Sequence, residues 1–197
     1  METLDEIGVR FGTDKSSSFS KSHNYLNIYE KYFEPLQNKN INLLEIGIKD
    51  GKSLWTWREY FKFGNIFGID INEECKKIEE TNNRIYVDIM DQGIFGDWLH
   101  YKNKFQNTKF DIIIDDGSHN QIHQQISFNF LFPRMLKSGG IYIIEDIQSA
   151  MVKTESTIDF LLNRAKELNY EYFDPKFNPY KISTIHFYKI MAIIIKR

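Results

Sequence analysis

Three carboxylates and a histidine stand in two short segments that follow runs of β-favouring residues. Asp116 ends a predicted strand over 110–116, and Glu145 and Asp146 end another. If these strands are neighbours, the three acids converge, and their like charges destabilise one another unless a proton or a cation neutralises them. Carboxylate ligands favour Mg²⁺, Mn²⁺ or Ca²⁺ over zinc. The spacing therefore predicts a divalent metal site; the alternative is separated acids that cap two helices.

His119 lies in the same turn as Asp116. A histidine has an unperturbed pKa of about 6.5, which suits a general base at neutral pH. A lone histidine is more often structural, but a shared turn with metal-type ligands favours a catalytic role. We predict that His119 and Asp116 are catalytic. His123, one helical turn later, is a weaker candidate for substrate contact.

A glycine turn follows the first predicted strand and opens a helix. Gly47 and Gly51 have the spacing Gly-x-x-x-Gly, which differs from the Gly-x-Gly-x-x-Gly of dinucleotide sites. The acids that flank the turn, Glu45 and Asp50, favour a ligand with a cationic portion, such as the sulfonium and ammonium of S-adenosylmethionine (SAM). An ordinary strand-to-helix turn is the alternative. We assign Glu45, Gly47, Gly51 and Ser53 to cofactor binding.

Further polar residues follow the next predicted strands. Asp70 ends the second strand about 20 residues after the glycine turn, where an acid can accept both ribose hydroxyls. Asp91 and Gln92, after the third strand, are candidates for the adenine amino group, and Asp88 competes for that role. Asp115 completes the predicted cofactor set.

The order of elements needed to position these residues is β-then-α, repeated five times. Parallel strands require such helical crossovers, so the pattern predicts an α/β fold with a mostly parallel sheet and helices on both faces. The predicted strands cover 42–48, 65–71, 84–88, 110–116 and 141–146, with a closing antiparallel hairpin at 183–188 and 191–196. The predicted helices cover 25–33, 53–61, 73–80, 95–101, 122–131 and 156–168.

Several features indicate one domain over residues 1–197. The chain is long enough for a single core, and 42% of its residues are hydrophobic. The polar 1–35 stretch reads as an N-terminal cap on a 36–197 core. Gly139 and Gly140 are predicted to end the helical pattern before the fifth strand.

Composition excludes several other classes of protein. The net charge of −2 and scattered basic residues give no argument for nucleic acid. No apolar run reaches 18 residues, so no membrane span is predicted. The single cysteine, Cys75, excludes an intrachain disulfide and a multi-cysteine zinc site. The acidic start does not have the pattern of a signal peptide, and we expect a cytoplasmic protein.

Several segments together resemble the sugar O-methyltransferases of macrolide biosynthesis and the related cephalosporin-pathway methyltransferases. The resemblance covers the chain from about residue 10 to its end. It rests on Gly12-Thr-Asp-Lys15 with His23 and Tyr25, Leu44–Leu54, Gly68–Asp70, Ile114–His119, Phe132-Pro133 and Gly139–Asp146.

This resemblance implies the Rossmann-like fold of class I SAM-dependent methyltransferases. It also implies a magnesium ion held by Asp116, Glu145 and Asp146, with His119 as the base. A further implication is that residues near the start contact the amino-acid end of the cofactor: Asp14, Lys15, His23 and Tyr25. The chain lacks the long N-terminal region of the macrolide enzymes and has a short 147–183 segment. Their assembly and acceptors are therefore not carried over, and a homo-oligomer stays one option.

The residues and the resemblance lead to one main hypothesis. It is a SAM-dependent O-methyltransferase that uses Mg²⁺ or Mn²⁺ and methylates a hydroxyl of a sugar or glycan-type acceptor, in surface-polysaccharide or natural-product biosynthesis. The alternatives are a small non-sugar or amine acceptor, or a SAM-binding accessory protein without catalysis. A dinucleotide-dependent oxidoreductase is disfavoured because its glycine fingerprint is absent.

Overall fold

The apolar runs and the amphipathic stretches form seven strands and seven α-helices among the residues that the structure describes. The computed structural model describes residues 2–18, 24–80, 84–147, 155–170, 172, 174, 176 and 178–197. In chain order, the strands are β1 (Asn42–Ile46), β2 (Asn65–Asp70), β3 (Ile85–Ile89), β4 (Phe110–Asp115), β5 (Leu136–Ile144), β6 (Ile182–Tyr188) and β7 (Met191–Lys196). The α-helices are α1 (Leu4–Phe11), α2 (Tyr25–Phe33), α3 (Lys52–Tyr60), α4 (Lys77–Glu80), α5 (Phe95–Lys104), α6 (Gln121–Arg134) and α7 (Thr157–Tyr170).

Internal contacts divide the chain into two compact units, Met1–Ile89 and Met90–Arg197. We describe each unit by itself. The single domain over 1–197, with a cap over 1–35 and a core over 36–197, stays a prediction.

The first unit contains three parallel strands in the order β3-β2-β1. Glu45 of β1 pairs in register with Gly68 of β2, which pairs with Val87 of β3. Four successive residues of β1 are buried, as in parallel strands covered on both faces, where apolar runs replace simple alternation. Because the strands are parallel, the chain leaves β1 and β2 at the same edge, which is where Gly47 and Asp70 lie.

The leader of the first unit contains a helix that the sequence analysis missed. Thr3 caps α1: its Oγ1 accepts a hydrogen bond from the Glu6 backbone N–H at 3.2 Å, and Glu6 Oε2 accepts one from the Thr3 N–H at 2.8 Å. This Thr-x-x-Glu capping box is legible in the sequence. Gly12 ends the helix in the left-handed conformation, with φ 72°. The next helix, α2, has the predicted bounds.

The second unit has the strand order β4-β5-β7-β6. β4 and β5 are parallel, with Asp115 opposite Ile144, whereas β7 is antiparallel to both β5 and β6. The predicted closing hairpin is therefore confirmed. Phe128 of α6 packs edge-on against Tyr142 of β5, with the ring centroids 5.1 Å apart. This aromatic contact fixes α6 against the strand that leads into the predicted metal ligands.

Two predicted elements differ from the structure. β5 begins at Leu136, so Gly139 and Gly140 lie inside the strand instead of before it. Gly139 has φ 74°, and the register between β4 and β5 shifts between Phe110 and Ile112. The two glycines therefore lie at an irregularity within β5, as glycines inside strands often do. The predicted helix 73–80 is a 3-10 turn over Glu73–Lys76 followed by the single turn of α4.

Among the residues that the structure places, no helix combines the length and apolarity needed to cross a bilayer.

Candidate active site

Three side chains of the second unit meet beyond the ends of β4 and β5. Asp116, His119 and Asp146 each offer one ligand atom, and these atoms lie within 4.8 Å of one another. Asp115 and Ile144 are register partners on parallel strands, so the segments that follow them leave the sheet side by side. The convergence of Asp116 and Asp146 thus follows from the strand pairing that the sequence pattern predicts.

Two residues of this cluster have unusual backbones. His119 has φ 55° and Asp146 has φ 51°, in the left-handed region that residues other than glycine rarely adopt. Such conformations cost on the order of 1–3 kcal/mol and persist where the surrounding structure imposes them, often at functional sites. His119 Nε2 lies 3.6 Å from Asp146 Oδ2, an ion pair when the imidazole is protonated.

Glu145 does not join the cluster in this structure. The residue is buried; its N–H donates to the Asp115 carbonyl at 2.9 Å, and its own carbonyl accepts from Gln124 Nε2 at 3.0 Å. The structure therefore brings together two of the three predicted acids, with His119 as the third member. The role of Glu145 as a metal ligand stays a prediction.

The chemistry of the cluster fits a divalent cation. Mg²⁺ typically binds one or two protein carboxylates and keeps several waters, so Asp116 and Asp146 are a sufficient protein contribution. Carboxylates equally suit Mn²⁺. The metal-ligand roles of Asp116 and Asp146 and the catalytic role of His119 stay predictions.

The loop that carries Asp116 rests on Asp115. That carboxyl is fully buried and accepts from Gln92 Nε2 at 3.1 Å and from the Gly117 N–H at 3.5 Å. Burial raises the pKa of Asp115 to about 6, because desolvation disfavours the charged form. Asp115 thus lies beneath the loop in this structure, and a direct contact with the cofactor stays a prediction.

Asp91 and Gln92 form the turn that precedes α5. Asp91 Oδ1 accepts a hydrogen bond from the Gly93 N–H at 2.8 Å. The Asp91 residue is half-buried. The Gln92 side chain is buried and bonded within the second unit, to Asp115, Ser118 and Ser127. The choice between Asp88 and Asp91 for the adenine stays open.

In the first unit, Asp70 shapes the glycine loop. Its Oδ2 accepts from the N–H groups of Ile48 and Lys49, both at 2.9 Å, and its Oδ1 accepts from Asn72 N–H at 2.9 Å. Both carboxylate oxygens of Asp70 therefore hold backbone N–H groups, and a contact with the ribose stays a prediction. Lys49 has φ 49°, a strained position that the sequence did not single out.

The two predicted glycines of that loop have the conformations that require glycine. Gly47 has φ 83° and Gly51 has φ 79°. A Cβ on Gly51 would also lie only 2.8 Å from Ile78 Cδ1. Glycine at position 51 is therefore needed for both conformation and space, as the turn pattern predicts.

Glu45, Ser53 and Lys15 form a buried network. Glu45 Oε2 accepts from Ser53 Oγ at 2.7 Å and from Trp57 Nε1 at 2.9 Å, and Lys15 Nζ lies 3.6 Å from Glu45 Oε1. Lys15 is 4% exposed and Glu45 is fully buried. These residues anchor α3 and the leader on β1 in this structure, and their contact with a cofactor stays a prediction.

The remaining predicted residues of the leader have different environments. Asp14 is exposed and pairs with Lys49 at 3.7 Å. Tyr25 is buried and stacks on Tyr29, with centroids 6.1 Å apart. His23 lies outside the described residues. His123 contacts Ser118 Oγ through Nδ1 at 3.0 Å, so it braces the loop before His119.

The chain is similar in sequence to known methyltransferases. No protein-family model matches the chain. The 8-demethyl-8-alpha-L-rhamnosyl tetracenomycin-C 2'-O-methyltransferase of Streptomyces olivaceus is 28% identical over 216 residues, which are 98% of this chain and 54% of the relative. Demethylmacrocin O-methyltransferase of Streptomyces fradiae is 33% identical over 154 residues, which are 75% of this chain and 37% of the relative.

A solved structure extends the likeness to the whole chain. The MycE methyltransferase from the mycinamycin biosynthetic pathway, in complex with Mg, SAH and mycinamycin VI, matches with a TM-score of 0.84 at 26% identity, over 100% of this chain and 55% of that one. The chain spans about half the length of the tetracenomycin relative and of MycE, and 37% of demethylmacrocin O-methyltransferase. The predicted α/β fold with a mostly parallel sheet is confirmed. The chain has the Rossmann-like class I methyltransferase fold and is a homologue of the sugar O-methyltransferases of macrolide and tetracenomycin biosynthesis.

Proposed function

We propose that the chain catalyses SAM-dependent methylation of a sugar hydroxyl with the help of Mg²⁺ or Mn²⁺. The cluster of Asp116, His119 and Asp146 carries this proposal, because it sets two carboxylates and a base side by side. The fold of the chain, shared with a methyltransferase solved with Mg and SAH, supports the same chemistry. We place the reaction in the cytoplasm, as the sequence predicts.

The assignment of the cofactor follows the sequence prediction. Asp70 is proposed to accept the ribose hydroxyls, next to the loop that contains Gly47 and Gly51. The position of its carboxylate at the end of β2, in contact with the backbone of that loop, supports this role. Asp91 is the proposed adenine contact, with Asp88 as the alternative. The amino-acid end is assigned to the leader residues Asp14, Lys15, His23 and Tyr25.

When bound, SAM would supply the methyl group, with its sulfide as the leaving group, and a divalent cation would lower the pKa of the acceptor hydroxyl. Asp116 and Asp146 would hold the cation, with Glu145 as the further predicted ligand. His119 takes the hydroxyl proton on its imidazole. Asp146 Oδ2, at 3.6 Å from His119 Nε2, stabilises the imidazolium that results.

The acceptor is proposed to be a sugar, free or within a glycan or a natural product. The named relatives methylate sugar-bearing compounds, which supports this class without selecting one member. Because the chain matches about half the length of those relatives, their own acceptors are not assigned to it.

Two linked measurements test the proposal. Isothermal titration with SAH, NAD and Mg²⁺ identifies the cofactor, and transfer of labelled methyl from SAM to a panel of nucleotide sugars, polysaccharides and glycosylated natural products identifies the acceptor. We expect SAH and Mg²⁺ to bind and EDTA to abolish transfer. Binding of NAD in place of SAH would indicate an oxidoreductase. SAH binding without metal binding or transfer would indicate an accessory protein.

A further inference from the structure

The side chain of Gln92 is fully engaged with the loop that carries Asp116 and His119. Gln92 is 6% exposed. Its Nε2 donates to Asp115 Oδ1 and to Ser127 Oγ, both at 3.1 Å, so both amide hydrogens are used. Its Oε1 accepts from the Ser118 N–H at 2.7 Å. The side chain therefore ties the end of β4, the loop after it and α6 together.

The loop approaches Gln92 as closely as its backbone allows. A Cβ on Gly117 would lie 1.9 Å from Gln92 Oε1, far inside a contact distance. Position 117 does not have the positive φ that would itself call for glycine. Space beside the Gln92 amide is thus the reason for a glycine between Asp116 and Ser118.

A second support acts on Ser118. Its N–H is held by Gln92, and its Oγ lies 3.0 Å from His123 Nδ1. Ser118 therefore has both its backbone and its side chain fixed, directly before His119. The constraint matters because His119 has a positive φ that a free loop would relax.

We propose that Gln92 is a positioning residue for the metal and proton-transfer groups. Its amide holds the backbone over 115–118 so that Asp116 and His119 meet Asp146. This inference rests on the proposed metal site and gives Gln92 a role besides the predicted cofactor contact.

The test compares two buried amides of the second unit. Gln92→Met keeps the volume and removes all three hydrogen bonds of the side chain. Asn178→Leu is the matched control: Asn178 is 3% exposed and bonds the backbone of Ile182 in both directions, at 2.8 and 2.9 Å. Ile182 pairs with Lys196, whereas the carboxyl end of β5 pairs with Ala192, so the control lies toward the other end of the sheet.

The readout is the dissociation constant for Mn²⁺, followed by electron paramagnetic resonance of the free ion, together with the melting temperature. We expect Gln92→Met to weaken Mn²⁺ binding by about 10-fold or more, as supporting residues of metal ligands do. Asn178→Leu should lower the melting temperature comparably and leave Mn²⁺ affinity unchanged. Equal Mn²⁺ affinity in wild type and Gln92→Met would overturn the positioning role alone.

Gly117→Ala provides a second variant that keeps the Gln92 amide. The new Cβ must displace the loop from Gln92 Oε1, so Mn²⁺ binding should weaken in this variant too. If Gln92→Met does not fold, the Mn²⁺ affinity of Gly117→Ala tests the positioning role. Unchanged Mn²⁺ affinity in Gly117→Ala would contradict the inference. A wild-type protein that binds no Mn²⁺ would overturn the metal site itself, and this role with it.

Discussion

His119 Nε2 lies 3.6 Å from Asp146 Oδ2, and both residues hold left-handed backbone conformations at the ends of neighbouring parallel strands. Two strained residues that face each other across an acidic site need a reason, since each such conformation costs on the order of 1–3 kcal/mol. The proposed cation site beside a proton acceptor would supply one.

Replacement of His119 should separate proton transfer from cofactor binding. His119→Ala is expected to lower kcat by about 10²-fold or more, because the hydroxyl loses its base, while SAH affinity stays nearly intact. The measurement pairs initial rates with SAH titration. His100→Ala, at an exposed position of α5, is the control and should keep wild-type rates. Full activity of His119→Ala would remove the imidazole from the mechanism.

The ligand set can be resolved by comparing two neighbouring acids. Asp146 belongs to the cluster and Glu145 does not. Asp146→Asn should therefore weaken Mn²⁺ binding by about 10-fold or more, since a direct ligand matters at least as much as its supports. If the geometry of the cluster defines the ligands, Glu145→Gln keeps its Mn²⁺ affinity. A loss in Glu145→Gln as large as in Asp146→Asn would restore the ligand set predicted from sequence.

Replacing one partner of the buried Lys15–Glu45 pair should lower the free energy of unfolding substantially. Glu45→Gln removes the negative charge that faces the Lys15 ammonium in the interior, at an expected cost of about 3–5 kcal/mol in the free energy of unfolding. Asp14→Asn breaks the exposed pair with Lys49 and should cost less than about 1 kcal/mol. Urea denaturation measures both. Similar small costs for the two variants would show that the buried pair contributes little.

Two glycines with the same backbone conformation allow the roles of φ and of space to be separated. A Cβ on Gly12, at φ 72°, would have nothing within 4 Å, whereas a Cβ on Gly51, at φ 79°, would meet Ile78 at 2.8 Å. Gly12→Ala should cost about 1–2 kcal/mol from conformation alone. Gly51→Ala should cost more and also weaken SAH binding. Equal costs in urea denaturation, with SAH affinity unchanged, would contradict the packing argument.

Cys75 should be slow to react with thiol reagents. Burial raises its pKa to about 11, so the folded protein favours the neutral thiol, which also donates to the Lys49 carbonyl at 3.0 Å. At pH 8, the thiolate population is lower than at an ordinary thiol by about 100-fold, and it rises as the pH approaches the raised pKa. Mass spectrometry after iodoacetamide treatment, with urea-unfolded protein as the control, measures this. Equal labelling of folded and unfolded protein at pH 8 would refute it.

The sequence contained most of what places Asp116 and Asp146 together. Both follow apolar runs, and parallel neighbouring strands deliver their next residues to one edge of a sheet. It placed His119 in the same turn as Asp116, but it did not indicate that Glu145 would lie outside the cluster in this structure. The composition of the cluster depends on the positive φ angles of His119 and Asp146, which the residue types at these positions do not predict.

Three other features differ in how far the sequence could predict them. The capping box of Thr3 and Glu6 was present in the sequence and was missed because the leader is polar overall. A glycine at position 139 is compatible with a loop before β5 and with an irregularity inside β5. Only the pairing of β5 with β4 distinguishes these two structures. The position of Gln92 under the 115–118 loop arises from contacts across 23 to 35 residues, which local patterns do not record.

The most direct test of the account is a titration of Mn²⁺ into wild-type protein and into the double variant Asp116→Asn, Asp146→Asn, followed by electron paramagnetic resonance. We predict that the wild type binds the ion at a single site in each chain and that the double variant, although folded, does not. A wild type without bound Mn²⁺, or a double variant that binds as the wild type does, would contradict the central claim that these two carboxylates hold the catalytic cation.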